Sequence, residues 1–415
     1  MVTGDTQRPG LRSVLARPGF RRLWAARTVS QAGDVAQFTT VALLVYQLTG
    51  SGLGVSGVVV AEIIPVLLLA PLAGPLVDRL PRVAVMVASD VVRLLLVAVL
   101  VVWHDQLVVV YAVAFGLSAG SVFFNPAAGS LLPTLVEDDE LVAANSAVWS
   151  AAVLAQVLVA PAAGLLAATA GFGWAFTANA ASYAFSALLL RGLPAREVPQ
   201  PIITAGIWAQ GHEALALLGR DRLLRALAIG QALAALSAGA TSALLVVLAA
   251  QQLRVGGAGY GLMLTAIGVG AFLGPLALTR VSGQARRPRV VFAAFGLRGL
   301  VDLVLASVTA LPAALAALVG YGLGTSTGNV TFSSVIQSHV PPGLRGRVFS
   351  AFDLIWQAMR LLSLLLGGIL ADTLGIRAVF YTAGVLLLAA ALAGVTASAP
   401  ARRRRRPARG TTPDR

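Results

Sequence analysis

Apolar runs of roughly 20 residues recur along the chain from Leu23 to Val395, separated by short polar or glycine- and proline-containing stretches. A helix rises about 1.5 Å per residue, so each run covers the ~30 Å hydrocarbon layer of a bilayer. The pattern predicts twelve helices, over 22–47, 53–77, 84–103, 107–130, 146–168, 173–192, 224–250, 258–279, 290–308, 312–335, 348–371 and 376–397. The expected fold class is an all-α polytopic membrane protein with twelve transmembrane helices. No short apolar stretch with a small-residue cleavage site precedes the first run, which is read as a true helix rather than a removable signal peptide.

An internal repeat arranges these helices. A shift of 204 residues (329 − 125) aligns Gly116 with Gly320, Gly120 with Gly324, Asn125 with Asn329 and Val136 with Val340. Without a gap it also aligns Ser146 with Ser350, Gly164 with Gly368, Gly171 with Gly375 and Phe176 with Phe380. Each copy would hold three helices at the end of a set of six. An even number of helices between copies keeps them parallel, which predicts two parallel six-helix halves related by an axis along the membrane normal. The resulting organisation is a cytoplasmic segment over 1–21, a first half over 22–192, a linker over 193–223, a second half over 224–397, and an Arg-rich tail over 398–415 expected to be disordered.

Composition narrows the chemistry. Only 12% of the 415 residues are charged, against roughly 25% in soluble proteins, and mean hydropathy is +0.83. The chain has no cysteine and no lysine, so all 31 basic residues are arginine. Disulfides, thiolate nucleophiles, Schiff bases and a Walker-type phosphate loop are excluded. Uphill movement by this chain would draw on an ion gradient or on another subunit. His104, His212 and His339 fall in separate polar segments without metal-ligand spacing, so neither metal nor cofactor is expected, and no nucleophile–base constellation suggests an enzyme.

The arginines set the orientation. Twenty-five of the 31 fall in segments on one side of the predicted helices, and only Arg254 and Arg377 fall in loops on the other. The positive-inside rule places both termini in the cytoplasm. The net charge of +14 is spread along that one face without aromatic interleaving, which fits contact with anionic lipid rather than nucleic acid.

Ionisable groups within spans cost about 2.5–3.5 kcal/mol each on insertion scales and are functional candidates. Asp34 and Glu62 fall at similar depth, near the midplane, on sequential helices. Two neighbouring carboxylates in a partly dry cavity are suited to picking up and releasing protons. Arg360, mid-helix with no acid within a turn, is assigned to the same central cavity, facing Asp34 or Glu62. Asp90 with Arg93, and Arg298 with Asp302, are spaced to pair along their own helices. Phe38, Asn125, Trp149, Gln156, Asn329 and Trp356 are candidates for lining a substrate cavity, with helix packing or interhelical hydrogen bonding as the alternative for each.

At the arginine-rich side, Glu137, Asp138, Asp139 and Glu140 precede the fifth helix, and Arg286, Arg287 and Arg289 lie between the eighth and ninth. By the pseudo-symmetry of the repeat these clusters would approach each other and form a gate. Alternatively, the acids favour the positive end of their own helix.

The stretch Gly74-Pro-Leu-Val-Asp78-Arg79-Leu-Pro81-Arg82 resembles the loop signature of the major facilitator superfamily between helices two and three, with Pro81 in place of a glycine and Val83 in place of a basic residue. Phe20-Arg21-Arg22-Leu23-Trp24, Gly33-Asp34, Asn125-Pro126, Ala144-Asn145-Ser146 and Leu344-Arg345-Gly346-Arg347 resemble the branch containing macrolide-efflux and enterobactin-exporter proteins. Pro161 and Gly164 are similar to part of an antiporter signature on helix five. The resemblance implies the major facilitator fold, a bacterial-type cell membrane, a monomer, and proton-coupled export of a small amphiphilic drug or natural product. A siderophore or lysolipid exporter is the alternative within transport, and a non-transporting sensor or scaffold the alternative outside it.

Overall fold

A computed structural model describes residues 11–77, 79–193, 219–279 and 288–397, all helical or connecting, with no β-strand among them. A short α1 (Leu11–Ala16) precedes α2 (Pro18–Thr49), α3 (Gly52–Val77), α4 (Arg82–Trp103), α5 (Leu107–Leu131), α6 (Leu141–Thr169) and α7 (Phe172–Arg191). After the linker follow α8 (Arg222–Ala243), α9 (Gly257–Thr279), α10 (Pro288–Ser307), α11 (Leu311–His339), α12 (Pro342–Leu374) and α13 (Ile376–Ala397). Nine of these, among the described residues, are long and apolar enough to cross a membrane.

The three long helices outside that set, α2, α7 and α11, are the polar ones. Their hydroxyls are largely satisfied within the helix: Thr28, Thr39, Thr325 and Thr331 each donate to a carbonyl four residues back. Self-satisfied hydroxyls remove most of the cost of carrying polar residues at depth.

Each predicted span contains a helix, with shifted ends. The first begins at Pro18 instead of 22, since proline is favoured at a helix start, where its missing N–H leaves no bond unmade. The predicted 224–250 span does not run as one α-helix. It breaks after Ala243 into a helical turn, Leu245–Val247, and a π-turn, Leu248–Gln252. The wider turn accompanies a capping contact: the Gln252 side-chain amide donates to the carbonyls of Leu305 and Val308 at the end of α10. Such carbonyls have no partner within their own helix.

Two sets of neighbours recur. Among α2–α7 the extensive contacts are α2 with α6 and α7, α4 with α5 and α7, and α3 with α5. Among α8–α13 they are α8 with α12 and α13, α10 with α11 and α13, and α9 with α11. Adding six to each number of the first set yields the second. Extensive packing between the sets is through α6 with α9 and α3 with α12, which exchange under the same operation.

Both seams are tightest at one end. An added Cβ on Gly368 would lie 2.9 Å from the Cα of Leu53, and one on Gly164 would lie 2.7 Å from the carbonyl carbon of Gly257. These pairs are themselves related by 204 residues (368 − 164 and 257 − 53). This end carries the loops with Arg254 and Arg377, and the bundle is closed there.

Candidate functional site

The cavity at the heart of the first set is built by polar residues that the helices cannot satisfy internally. Asp34 on α2, Glu62 on α3, Ser118 on α5, Gln156 on α6 and Tyr183 on α7 line it together with Gln31, Gln37 and Phe38, around a volume of about 460 Å³. Asp34 accepts a hydrogen bond from the Tyr183 hydroxyl at 2.5 Å. Ser118 donates to the backbone carbonyl of Glu62 at 2.5 Å. Asn179, fully buried, donates from its side chain to Gln37 at 3.2 Å and braces α7 against α2.

A buried ionic assembly stands behind Tyr183. Arg93 sits 2.5 Å from Asp90 on its own helix, and Ser186 donates to the second oxygen of Asp90 at 2.6 Å. The Arg93 guanidinium is 4.6 Å from the Tyr183 ring centroid and 4.5 Å from that of Phe124. Its stem passes over α5 at Gly120, where an added Cβ would lie 2.9 Å from Arg93 Cγ. Asp34 interacts electrostatically with Arg93 through this layer. The sequence spacing anticipated the Asp90–Arg93 pair, whereas Tyr183 and Ser186 carried no distinguishing signal: a tyrosine or serine on an apolar helix reads as packing.

The second set repeats the arginine without the ion pair. Arg298 lies against Gly324, the repeat counterpart of Gly120, and its stem would meet a Cβ there at the same 2.9 Å. Arg298 and Asp302 interact electrostatically but make no direct ion pair. Arg298 donates to the Tyr321 hydroxyl at 3.0 Å and lies 4.8 Å from that ring's centroid, while Asp302 accepts from Ser237 at 3.3 Å. The aromatic offers a face and an acceptor together, and draws the guanidinium off the Asp302 line.

Arg360 on α12 stands opposite Glu62 across the α3–α12 packing and interacts with it electrostatically, as Glu62 does with Asp34. None of these three groups makes a direct ion pair with another. Of the other cavity candidates, Phe38 and Gln156 line the pocket, whereas Asn125, Trp149, Asn329 and Trp356 do not. Trp149 is 62% exposed on α6.

Pro161 and Gly164 lie at the α6–α9 crossing, where Pro161 and the Ala160 carbonyl face Gly261 and Gly164 faces Gly257. Thr265 on α9 donates to the Val157 carbonyl on α6 at 2.9 Å. At the other seam Asp372, which the sequence reading passed over, accepts from the Ser51 hydroxyl and the Gly52 amide at 2.7 Å each and from the Leu53 amide at 3.2 Å. An acid of α12 thus caps the start of α3 from the opposite set. Its signal in the sequence is faint, because a carboxylate near a loop reads as solvated.

At the arginine-rich end, Gly74 lies in α3, and Asp78, Arg286 and Arg287 lie outside the described residues. Arg79 and Arg289 are exposed, and Arg82 is buried, donating to the Ser130 carbonyl of α5 at 3.4 Å. Glu137 and Glu140 both engage Arg17, at 2.6 and 2.5 Å, which raises the already high pKa of that guanidinium through its contact with Glu137. They also form a capping box around the turn Asp138–Glu140, ahead of α6, and Asp139 is exposed. Glu137 and Glu140 thus support their own helix entry, and the gate with Arg286 and Arg287 turns on residues outside those described.

A bundle with this neighbour pattern, a polar cavity at depth and a seam closed at one end is built as a membrane transporter. The chain belongs to the transmembrane secretion effector family, which it matches over residues 12–408, and is a transporter of the major facilitator superfamily. It is 31% identical to the multidrug efflux pump Tap of Mycolicibacterium fortuitum over 399 residues, covering 90% of this chain and 93% of that one. It is 27% identical to the uncharacterized MFS-type transporter YfiS of Bacillus subtilis (strain 168), over 89% of this chain and 91% of that one. Among solved structures it resembles a bacterial homologue of the iron transporter ferroportin in an inward-facing state, with a TM-score of 0.74 at 20% identity, over 93% of this chain and 100% of that one. The last likeness concerns the fold alone.

Proposed function

We propose that the chain exports amphiphilic compounds in exchange for protons, by rocking of two parallel six-helix halves about a central cavity. The observation that carries this reading is the pair of carboxylates, Asp34 and Glu62, in one cavity beside seams that are tightly packed at one end. Twelve transmembrane helices in two halves are supported by the recurrence of one neighbour pattern in α2–α7 and α8–α13. The similarity to a protein named as a multidrug efflux pump supports export.

In the proposed cycle, cargo displaces protons from the carboxylates on one side of the membrane, and protons displace cargo on the other. Tyr183 orients Asp34 by its hydrogen bond, and Arg360 is the counter-charge that approaches or leaves Glu62 as α12 moves against α3. The cavity lining holds two acids and no base, so cationic or neutral amphiphiles fit it better than an anionic siderophore. With the arginine-rich end in the cytoplasm, on anionic lipid, the closed end faces outward and the cavity is inward-facing. The same reading places a monomer in a bacterial-type cell membrane.

The test is purified protein in liposomes carrying an imposed pH gradient, with a cationic amphiphilic dye and an anionic catecholate chelator as alternative cargoes. Gradient-driven movement of the dye is expected. Movement of neither, across a broad ligand panel, would leave a non-transporting scaffold as the better account.

A further inference from the structure

Away from the central cavity, at the closed end, lies a pocket of about 660 Å³ lined by Gln251, Gln252, Leu253, Arg254, Thr309, Leu374, Gly375, Ile376 and Arg377. The only two arginines in the arginine-poor loops, one preceding α9 and the other opening α13, meet in it. Both are exposed, no acid lines the pocket, and among the described residues no ion pair engages either guanidinium. Asp372, two residues before Leu374, is directed away, onto the start of α3.

Three further features converge on the same place. The N-terminal turn of α13 forms one wall through Gly375, Ile376 and Arg377, so the positive end of a 22-residue helix adds to the two cations. Arg254 is held at φ 54°, a left-handed conformation that among the described residues is otherwise taken only by glycines. That conformation directly follows the π-turn Leu248–Gln252, and irregular turns with unfavourable backbone angles concentrate at ligand sites. Gln252, 92% buried by its 8% exposure, lines the pocket and spends its amide N–H groups on α10, leaving its carbonyl oxygen without a partner.

We propose that this pocket binds a phosphate-bearing anion, supplied either as the headgroup of an anionic phospholipid or as free phosphate. Two guanidiniums without an ion pair among the described residues and a helix N-terminus are the donors such a group requires. The 72% exposed Leu374 on the rim suits an acyl chain running down the bundle. The site is independent of the proton-coupling carboxylates. It ties the end of α12, which carries Asp372, to the start of α13 and to the loop before α9.

The chain has no cysteine, so Leu374→Cys in the full-length protein accepts a single fluorophore at the pocket rim. In nanodiscs, brominated phosphatidylglycerol should quench that label at least threefold more effectively than brominated phosphatidylcholine. The preference should be lost in Arg377→Gln and in Arg254→Gly, the second of which removes the guanidinium while relieving the backbone. If free phosphate is the ligand, the lipids will quench equally, and inorganic phosphate, but not chloride at the same ionic strength, will change the fluorescence saturably in the parent and not in the two variants. Equal quenching with no phosphate response would overturn the proposal. So would a lipid or phosphate response that survives both substitutions in variants whose melting temperatures match the parent.

Discussion

Alanine at Gly368 places a methyl group 2.9 Å from the Cα and 3.2 Å from the amide nitrogen of Leu53, and alanine at Gly164 places one 2.7 Å from the Gly257 carbonyl carbon. The nearest neighbour at each site is backbone. The Leu53 side chain, also 3.2 Å from the Gly368 methyl, can rotate aside, but the backbone cannot, so α3 must part from α12, or α6 from α9. Overpacking of this kind costs about 1–3 kcal/mol per site. The two glycines are on different seams, so their effects should add. The cost falls only on the conformation in which that end is closed. One substitution should therefore change the closed-to-open ratio by roughly 5- to 150-fold, the factor corresponding to 1–3 kcal/mol. Double electron–electron resonance can follow this with labels on Gly173→Cys and Gly256→Cys. At Gly256 an added Cβ meets nothing within 4 Å, and at Gly173 only the Val101 carbonyl at 4.0 Å. The parent should give one short distance population, each alanine variant a longer second one, and the double variant mainly the longer. An unchanged distribution in variants that have lost thermal stability would mean that the seam glycines support folding in every state and that closure at this end is not a rocking contact.

Three other outcomes follow from the same geometry. Asp372→Ala removes a cap on α3 made across the seam, worth about 0.5–2 kcal/mol, and should lengthen the same label distance, with Asp372→Asn intermediate because it keeps an acceptor. Arg93→Met leaves Asp90 buried without its counter-charge, about 3–5 kcal/mol unfavourable, and should lower the melting temperature followed by tryptophan fluorescence; adding Asp90→Asn should restore much of it. Arg17→Gln removes the partner of exposed Glu137 and of Glu140, whose side chain is only 8% exposed, and should lower the melting temperature while leaving transport near the parental rate; a severe transport defect at an unchanged melting temperature would favour the interpretation of these acids as a gate.

Helix positions were legible because they rest on periodicity, which hydrophobic burial enforces residue by residue. The glycines aligned by the 204-residue shift, Gly164 with Gly368 and Gly120 with Gly324, turn out to be the close approaches at the seams and over the two arginines. Asp34 and Glu62 were identifiable because a charge in an apolar run is costly enough to need a reason. What escaped was whatever depends on a partner from elsewhere in the chain. Asp372 looks solvated until α3 is placed against α12, Tyr183 looks like packing until its hydroxyl reaches Asp34, and Arg298 looks paired to Asp302 until Tyr321 is seen beside it. The partner of the acids at 137–140 was equally hidden, since Arg17, far off in sequence, reaches them, while Arg286 and Arg287 of the expected gate lie outside the described residues.

The central claim is that Asp34 and Glu62 couple cargo to protons. The most direct measurement is cargo-driven proton flux into dye-loaded liposomes by the parent protein, Asp34→Asn and Glu62→Gln, with counterflow exchange measured alongside. The account predicts proton movement stoichiometric with cargo in the parent, and its loss with counterflow retained in at least one of the two variants. Uphill, proton-linked transport at parental rates in both variants would contradict it.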